Sequence, residues 1–151
     1  GCGMDEAFCQ QVTDPFVTSR RTRNVGLGLP LLDMTTRQAG GCLKILSRPG
    51  QGTRVEAVYK YSHLDRPPLG NMVDTLLTII IGNAERGIIY RHQVNERQFV
   101  FNLDEIKANL GDIPVTHPSI VQWLREFLAA GIAELYGGGE SENPGGFETL
   151  A

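Results

Sequence analysis

The 151-residue chain has little of what marks membrane-spanning, disulfide-stabilised or disordered proteins. Its longest apolar stretch, residues 76–81, is far below the roughly 20 residues that a bilayer-spanning helix needs. Its three cysteines are odd in number and lack Cys-x-x-Cys spacing, so neither a disulfide framework nor a four-thiolate zinc site is predicted. This cysteine usage makes a reducing, cytoplasmic setting the default expectation. With 41% hydrophobic residues, we expect one ordinary globular domain or two very small ones.

The first residues and the charge distribution are both unusual. Residues 1–4 show no initiator methionine, signal-peptide pattern or tag, and we expect the chain to be a piece of a longer protein. The net charge of -3 hides an asymmetry: residues 1–60 carry eight Lys and Arg against five Asp and Glu, whereas residues 61–151 carry six against twelve. An anionic ligand, if there is one, is therefore expected in the first part.

Helical patterns flank a basic loop near the amino terminus. A short helix is predicted over residues 4–11 and a second one over residues 27–38, ended by a left-handed cap at Gly40-Gly41. Residues 13–24 are polar, basic and without periodicity, which predicts an exposed loop. The apolar residues expected on one side of the second helix are Leu27, Leu31 and Met34.

Two strands and a linker complete the first part. Residues 42–47 and 53–61 are predicted to pair as antiparallel strands, because residues 48–52 supply turn residues between them. The second strand alternates an apolar face with a mixed one. Residues 62–71, with two consecutive prolines, are the candidate linker.

The remaining residues predict a small accessory α+β region, residues 72–136, and a disordered Gly- and Glu-rich tail, residues 137–151. We expect a three-stranded meander followed by two helices, with no recognisable chemical motif. Such a region is more often core and packing surface than a site, although it also suits the docking of a protein partner. The strands are expected at residues 75–81, 87–92 and 98–102, and the helices at residues 103–109 and 118–135.

Three short elements of the first part together suit the binding of phosphate. They are residues 1–4, 14–19 and 26–29, and the last of them opens a helix. Glycines let a polyphosphate approach the backbone, the free amides of the first turn point at it, and the helix dipole adds roughly half a positive charge. From charge alone, the arginines of residues 20–23 fit an ordinary solvated loop equally well.

In order and spacing these elements resemble the ATP-binding domain of histidine kinases and of their relatives DNA gyrase, Hsp90 and MutL. In this chain the resemblance covers residues 1–61, which correspond to the C-terminal portion of that domain. Residues 1–4 are similar to the end of its Asp-x-Gly-x-Gly box, residues 14–19 to its Phe-containing box and residues 25–29 to its Gly-x-Gly-Leu box. Gly41 with Ser47, and Gly50-Gln51-Gly52-Thr53, look like its two closing strands.

The resemblance implies the Bergerat fold, N-terminally truncated here: a two-layer α/β sandwich in which nucleotide lies between helices and a mostly antiparallel sheet. It implies ATP as the ligand, with Mg²⁺ in the full-length parent. Gly1, Gly3 and Met4 would border the adenine pocket, and Thr53 would help to bind the adenine amino group, partly through water. The lid side chains available to the phosphates would be Thr18, Ser19, Arg20, Arg21 and Arg23. The backbone amides that cap the triphosphate would be those of Gly26, Leu27, Gly28 and Leu29.

Two groups that the family uses are missing from this sequence. They are the asparagine box, whose Asn holds Mg²⁺, and the aspartate expected two residues before Gly1. We therefore expect the parent to bind ATP and this chain to bind it weakly or not at all, without a catalytic residue of its own. The parent would be a kinase or ATPase in signal transduction, and the resemblance allows a homodimer. The alternative is a non-catalytic interaction module that keeps the ATPase fold only as a scaffold.

The histidines and the basic run give further, mostly negative, expectations. Ser62-His63-Leu64-Asp65 superficially resembles a phosphoacceptor segment, but it follows the closing strand and runs into Pro67-Pro68, so we interpret it as linker. His92 and His117 lack ligand partners at metal spacing, which favours surface or strand-end positions over a metal site. Nucleic-acid binding is not expected, because the pI is near 5.6 and no aromatic residue interrupts the arginine run.

Overall fold

The computed structural model describes residues 1–17 and 26–137, and the chain divides into two compact units, Gly1–Pro67 and Pro68–Ala151. In each unit helices accompany one small antiparallel sheet, so the predicted α+β class is confirmed. The division falls within residues 62–71. The predicted disordered tail lies, from residue 138 onward, outside the described residues.

The first unit is a hairpin with two helices. The strands pair antiparallel from Cys42↔Val58 to Arg48↔Gly52 around a three-residue turn. The second strand ends earlier than predicted, because the Lys60 amide donates to the Ala39 carbonyl oxygen (3.1 Å) rather than continuing the ladder. The elements are α1 (Glu6–Gln11), α2 (Gly28–Gln38), β1 (Cys42–Arg48) and β2 (Gly52–Val58).

The predicted glycine stop after α2 is confirmed as a Schellman motif. Gly40 adopts φ +68°, its amide donates to Arg37 O (3.0 Å), and the Gly41 amide donates to Thr36 O (2.8 Å). A Cβ on Gly41 would collide with the Val58 carbonyl group. The two glycines therefore end the helix and also allow it to approach β2 closely.

The apolar residues predicted on one side of α2 are not its buried residues. Leu27, Leu31 and Met34 are 53%, 48% and 47% exposed, whereas the less exposed side carries Thr36 and Ala39, both fully buried. Thr36 is tolerated there because its hydroxyl donates to Asp33 O (2.8 Å) within its own helix. A hydrophobicity pattern that treats threonine as polar does not predict that this side is buried. The buried core of the first unit is small.

The second unit is built around a larger core. β3 and β4 pair antiparallel through a two-residue turn in which Asn95 has φ +54°. None of the described helices is both long and apolar enough to cross a membrane. The elements are α3 (Met72–Gly82), β3 (Ile89–Val94), β4 (Arg97–Asn102), α4 (Leu103–Leu110) and α5 (Pro118–Leu135). The core comprises Leu76, Leu77, Ile80, Tyr90, Phe101, Leu103, Val115, Leu124 and Leu128.

The strand predicted at residues 75–81 is wrong, since this segment is the helix α3. Its β-branched residues suggested a strand, but a cap and the core decide otherwise. Asn71 caps the helix by accepting from the Asp74 amide (3.1 Å), and Leu76 and Ile80, one turn apart, are both buried. The predicted three-stranded meander is consequently a two-stranded hairpin preceded by a helix.

Helix α5 crosses the hairpin at a glycine. A Cβ on Gly131 would penetrate the ring of Phe99, which packs in the space that the missing side chain leaves. Phe99 also lies 5.9 Å, between ring centroids, from Phe127 on the same helix. The glycine is thus required by packing, although it weakens the helix by itself.

We expect Gly131→Ala to lower the free energy of unfolding of the second unit. An overpacking cost of about 1–3 kcal/mol exceeds the roughly 1 kcal/mol that alanine gains over glycine inside a helix. Urea denaturation followed by circular dichroism measures the difference. The matched control is Gly82→Ala, where a Cβ meets open space. Equal stability of the two variants would contradict the packing role of Gly131.

Candidate functional site

The amino-terminal glycine segment lies along the turn end of the β1–β2 hairpin. The Gly50 amide donates to Cys2 O (2.7 Å), and the Met4 amide donates to Ser47 Oγ (2.8 Å). Gly3 has φ +72°, and a Cβ there would collide with the Arg48 carbonyl group. Glycine at this position is therefore required both by the backbone conformation and by the close approach of two chain segments.

Ser47 joins this segment to Thr53. The two residues are cross-strand partners, and their hydroxyl oxygens lie 2.8 Å apart. Ser47 Oγ also lies 3.1 Å from Gly52 O, to which it donates. One serine thus brings Gly1, Gly3 and Met4 together with Thr53, which lies 49 or more residues further along the chain.

Sequence reasoning placed Ser47 on a closing strand but missed this side-chain role. The signal that could have found it is the register of the hairpin. A three-residue turn at residues 49–51 puts Ser47 directly opposite Thr53, on the same face of the sheet.

The amino terminus of α2 carries the predicted phosphate-binding amides. Leu27 precedes the helix, and within the described residues no side chain caps this end. The first-turn amides of Gly28 and Leu29 have no acceptor inside the helix, and Pro30 has no amide to offer. Gly26 is engaged differently, because its amide donates to Pro15 O (3.1 Å).

Gly28 leaves open space at this helix end, since a Cβ there would meet no atom of the described residues within 4 Å. The helix packs on β1 and on β2, so its first turn belongs to the same unit as the glycine segment and Thr53. The arrangement offers free amides at one place and hydroxyl groups at another. Both are suited to hydrogen bonding with a polar, anionic ligand.

Of the lid predicted over residues 17–24, the structure describes only Val17, which follows a turn at Asp14. Asp14 forms a turn by accepting from the Phe16 amide (2.9 Å) through its side chain and from the Val17 amide (3.1 Å) through its carbonyl oxygen. The expected phosphate-contacting side chains lie outside the described residues, and their role remains a prediction. They are Thr18, Ser19, Arg20, Arg21 and Arg23.

No metal site is found in residues 1–17 or 26–137, because no group of three or more His, Cys, Asp or Glu side chains there could hold an ion.

The three histidines occupy different environments. His63 lies in a turn after β2, where its Nδ1 accepts from the Asp65 amide (3.2 Å). His117 directly precedes α5 and is exposed. The expected surface or strand-end position of His92 is wrong: it lies within β3, is buried, and shares a hydrogen bond with the Tyr90 hydroxyl (2.9 Å).

Comparisons with known proteins concern the first unit. The sequence profile of the histidine kinase-, DNA gyrase B- and HSP90-like ATPases matches residues 1–63. A putative sensor protein of Shewanella frigidimarina is 35% identical over 66 residues, which are 43% of this chain and 10% of that relative. The aligned segment thus spans about a tenth of the curated relative. No solved structure matches significantly.

We expect Ser47→Ala to release the amino-terminal segment from the hairpin. The variant removes the acceptor of the Met4 amide and the partner of Thr53, which lowers the free energy of unfolding by about 1 kcal/mol. Hydrogen exchange measured by NMR should show faster exchange of the Met4 amide. The control is Ser62→Ala at an exposed turn position. Unchanged exchange at Met4 would show that Ser47 does not hold the segment.

Proposed function

Because residues 1–63 belong to the histidine kinase-, DNA gyrase B- and HSP90-like ATPase family, we propose that they supply nucleotide-binding surface to a sensor histidine kinase-like signalling ATPase. The observation that carries the proposal is the junction at which Ser47 holds Met4 beside Thr53. It brings the two sequence elements that the resemblance assigns to adenine into one place.

The adenine side of the proposed site is formed by Gly1, Gly3, Met4 and Thr53. Thr53 is exposed, and its hydroxyl can accept a hydrogen bond from an exocyclic amino group while it donates to Ser47. The backbone of Gly3 runs against the hairpin without a side chain between them.

The triphosphate side of the proposed site is the start of α2. The uncapped first turn directs the amides of Gly28 and Leu29 outward, and the helix dipole favours negative charge there. The surplus of basic residues in the first sixty positions acts in the same direction. These features fit a polyphosphate, and the lid arginines add charge under the same proposal.

ATP, when bound, supplies a γ-phosphoryl group, and the residues of this chain bind and orient it. We propose that the whole protein transfers that group to a histidine or serine, or hydrolyses it. The sequence given contains neither the family's asparagine box nor its adenine-binding aspartate. The described residues likewise offer no carboxylate cluster for Mg²⁺. We therefore expect this chain alone to bind ATP with a dissociation constant of roughly 1 mM.

The test is an NMR titration of the chain with millimolar ATP. We expect amide shift changes at residues 26–29 and at Thr53, and their loss in Gly28→Val. Because Gly28 faces open space, the added side chain obstructs phosphate without disturbing the fold. Gly82→Val, at another helix end in open space, should leave the shifts unchanged.

Two results would contradict the proposal in different ways. Submicromolar affinity would show that the missing groups are not needed. Unchanged binding by Gly28→Val would show that the triphosphate does not lie at the start of α2.

A further inference from the structure

The β1–β2 hairpin has a second face, turned away from its helices, that the proposed nucleotide site does not use. Along β1, exposure alternates residue by residue, with Leu43, Ile45 and Ser47 half-buried and the residues between them exposed. The Cys9 thiol contacts Ile45 O (3.8 Å), which places α1 close to the strand. We call the opposite side the outer face, and its residues are Cys42, Lys44, Leu46, Arg48, Arg54, Glu56 and Val58.

The outer face combines exposed apolar area with positive charge. Leu46 is 61% exposed and lies directly opposite Arg54, and Val58 at the far end of the strand is 43% exposed. An exposed leucine in the middle of a strand is flanked here by cations. A single exposed apolar residue needs no explanation, but this combination is a recognition pattern.

The charges do not cancel within the face. Lys44, Arg48 and Arg54 oppose a single acid, Glu56, whose Oε1 lies 2.7 Å from Arg54 Nε. Arg54 remains well exposed, with 69% of its side chain accessible, and its guanidinium group has further donors free to point outward. The face therefore carries a surplus of two positive charges.

An open pocket of about 450 Å³ lies at the turn end of this face. Leu46, Arg48, Gln51 and Arg54 contribute to its lining, and its described lining contains no acidic residue. It extends around the turn to Ser47, Gly52 and Thr53. The pocket thus offers an apolar contact, an amide and two guanidinium groups at one location.

We propose that the outer face binds an acidic segment of a protein partner, with carboxylates on Arg48 and Arg54 and an apolar side chain on Leu46. Guanidinium groups bind carboxylates through paired, charge-assisted hydrogen bonds. The exposed leucine favours a polypeptide over a nucleic acid, which would use stacking aromatics that this face lacks among its residues. The proposal concerns the side chains of the outer face, and the pocket beside them also borders Ser47, Gly52 and Thr53 of the proposed nucleotide site.

The test uses the 151-residue chain and a fluorescein-labelled peptide of repeating Glu-Glu-Leu triplets. Fluorescence anisotropy should show binding that weakens as salt is added. Arg48→Glu and Arg54→Glu should each weaken binding about tenfold, because attraction is replaced by repulsion. Leu46→Ser should weaken it as well. Glu56→Gln should strengthen it, which damage to the fold would not do.

The matched control is Arg91→Glu on the exposed side of β3 in the second unit, which makes the same charge change and should leave affinity unchanged. Circular dichroism verifies that every variant is folded. Equal losses in the control and in Arg48→Glu would overturn the proposal, since net charge alone would then explain binding. Tighter binding of a single-stranded oligonucleotide would also overturn it.

Discussion

The first unit depends on the turn end of one hairpin, where the Ser47 hydroxyl holds the amino-terminal segment and Thr53 together. A three-residue turn brings Ser47 opposite Thr53, and the Met4 amide completes the junction. The segment can approach only because Gly3 has no side chain and adopts a left-handed conformation. Hydrogen bonds thus hold distant segments of the first unit together, whereas a large apolar core does so in the second unit.

The two units are stabilised in different ways. In the second unit three buried residues of α3 pack with two of α5 and with the inner side of a hairpin. In the first unit the fully buried residues are Thr36 of α2 and Ala39 directly after it, whereas Leu27 and Leu31 remain about half exposed. Burial of apolar area is the main favourable term in folding, so the first unit has less of it to draw on.

The two faces of the β1–β2 hairpin carry different kinds of side chains. The side facing the helices carries hydroxyl groups beside glycines, which suits the proposed nucleotide site. The outer face carries guanidinium groups beside an exposed leucine, which suits the proposed acidic partner. Because successive residues of a strand point to opposite faces, one seven-residue strand contributes side chains to both faces. The two proposed sites meet at the turn end, where one pocket borders Arg48 and Arg54 as well as Ser47 and Thr53.

The α+β class, the bounds of α5 and the glycine stop of α2 could be predicted from residues close together in the chain, because local spacing encodes them, and short motifs gave the resemblance to the ATPase family. The helix at residues 75–81 could not be predicted in this way, since β-branched residues favour a strand until the Asn71 cap and the core are counted. Only the tertiary structure decided which side of α2 is buried and that His92 lies inside, paired with Tyr90. In each case a polar side chain, that of Asn71, Thr36 or His92, forms a hydrogen bond that the pattern of apolar and polar residues does not reveal. The junction at Ser47 follows the same rule, because its three partners are distant in sequence or lie across a turn whose register only the folded hairpin fixes.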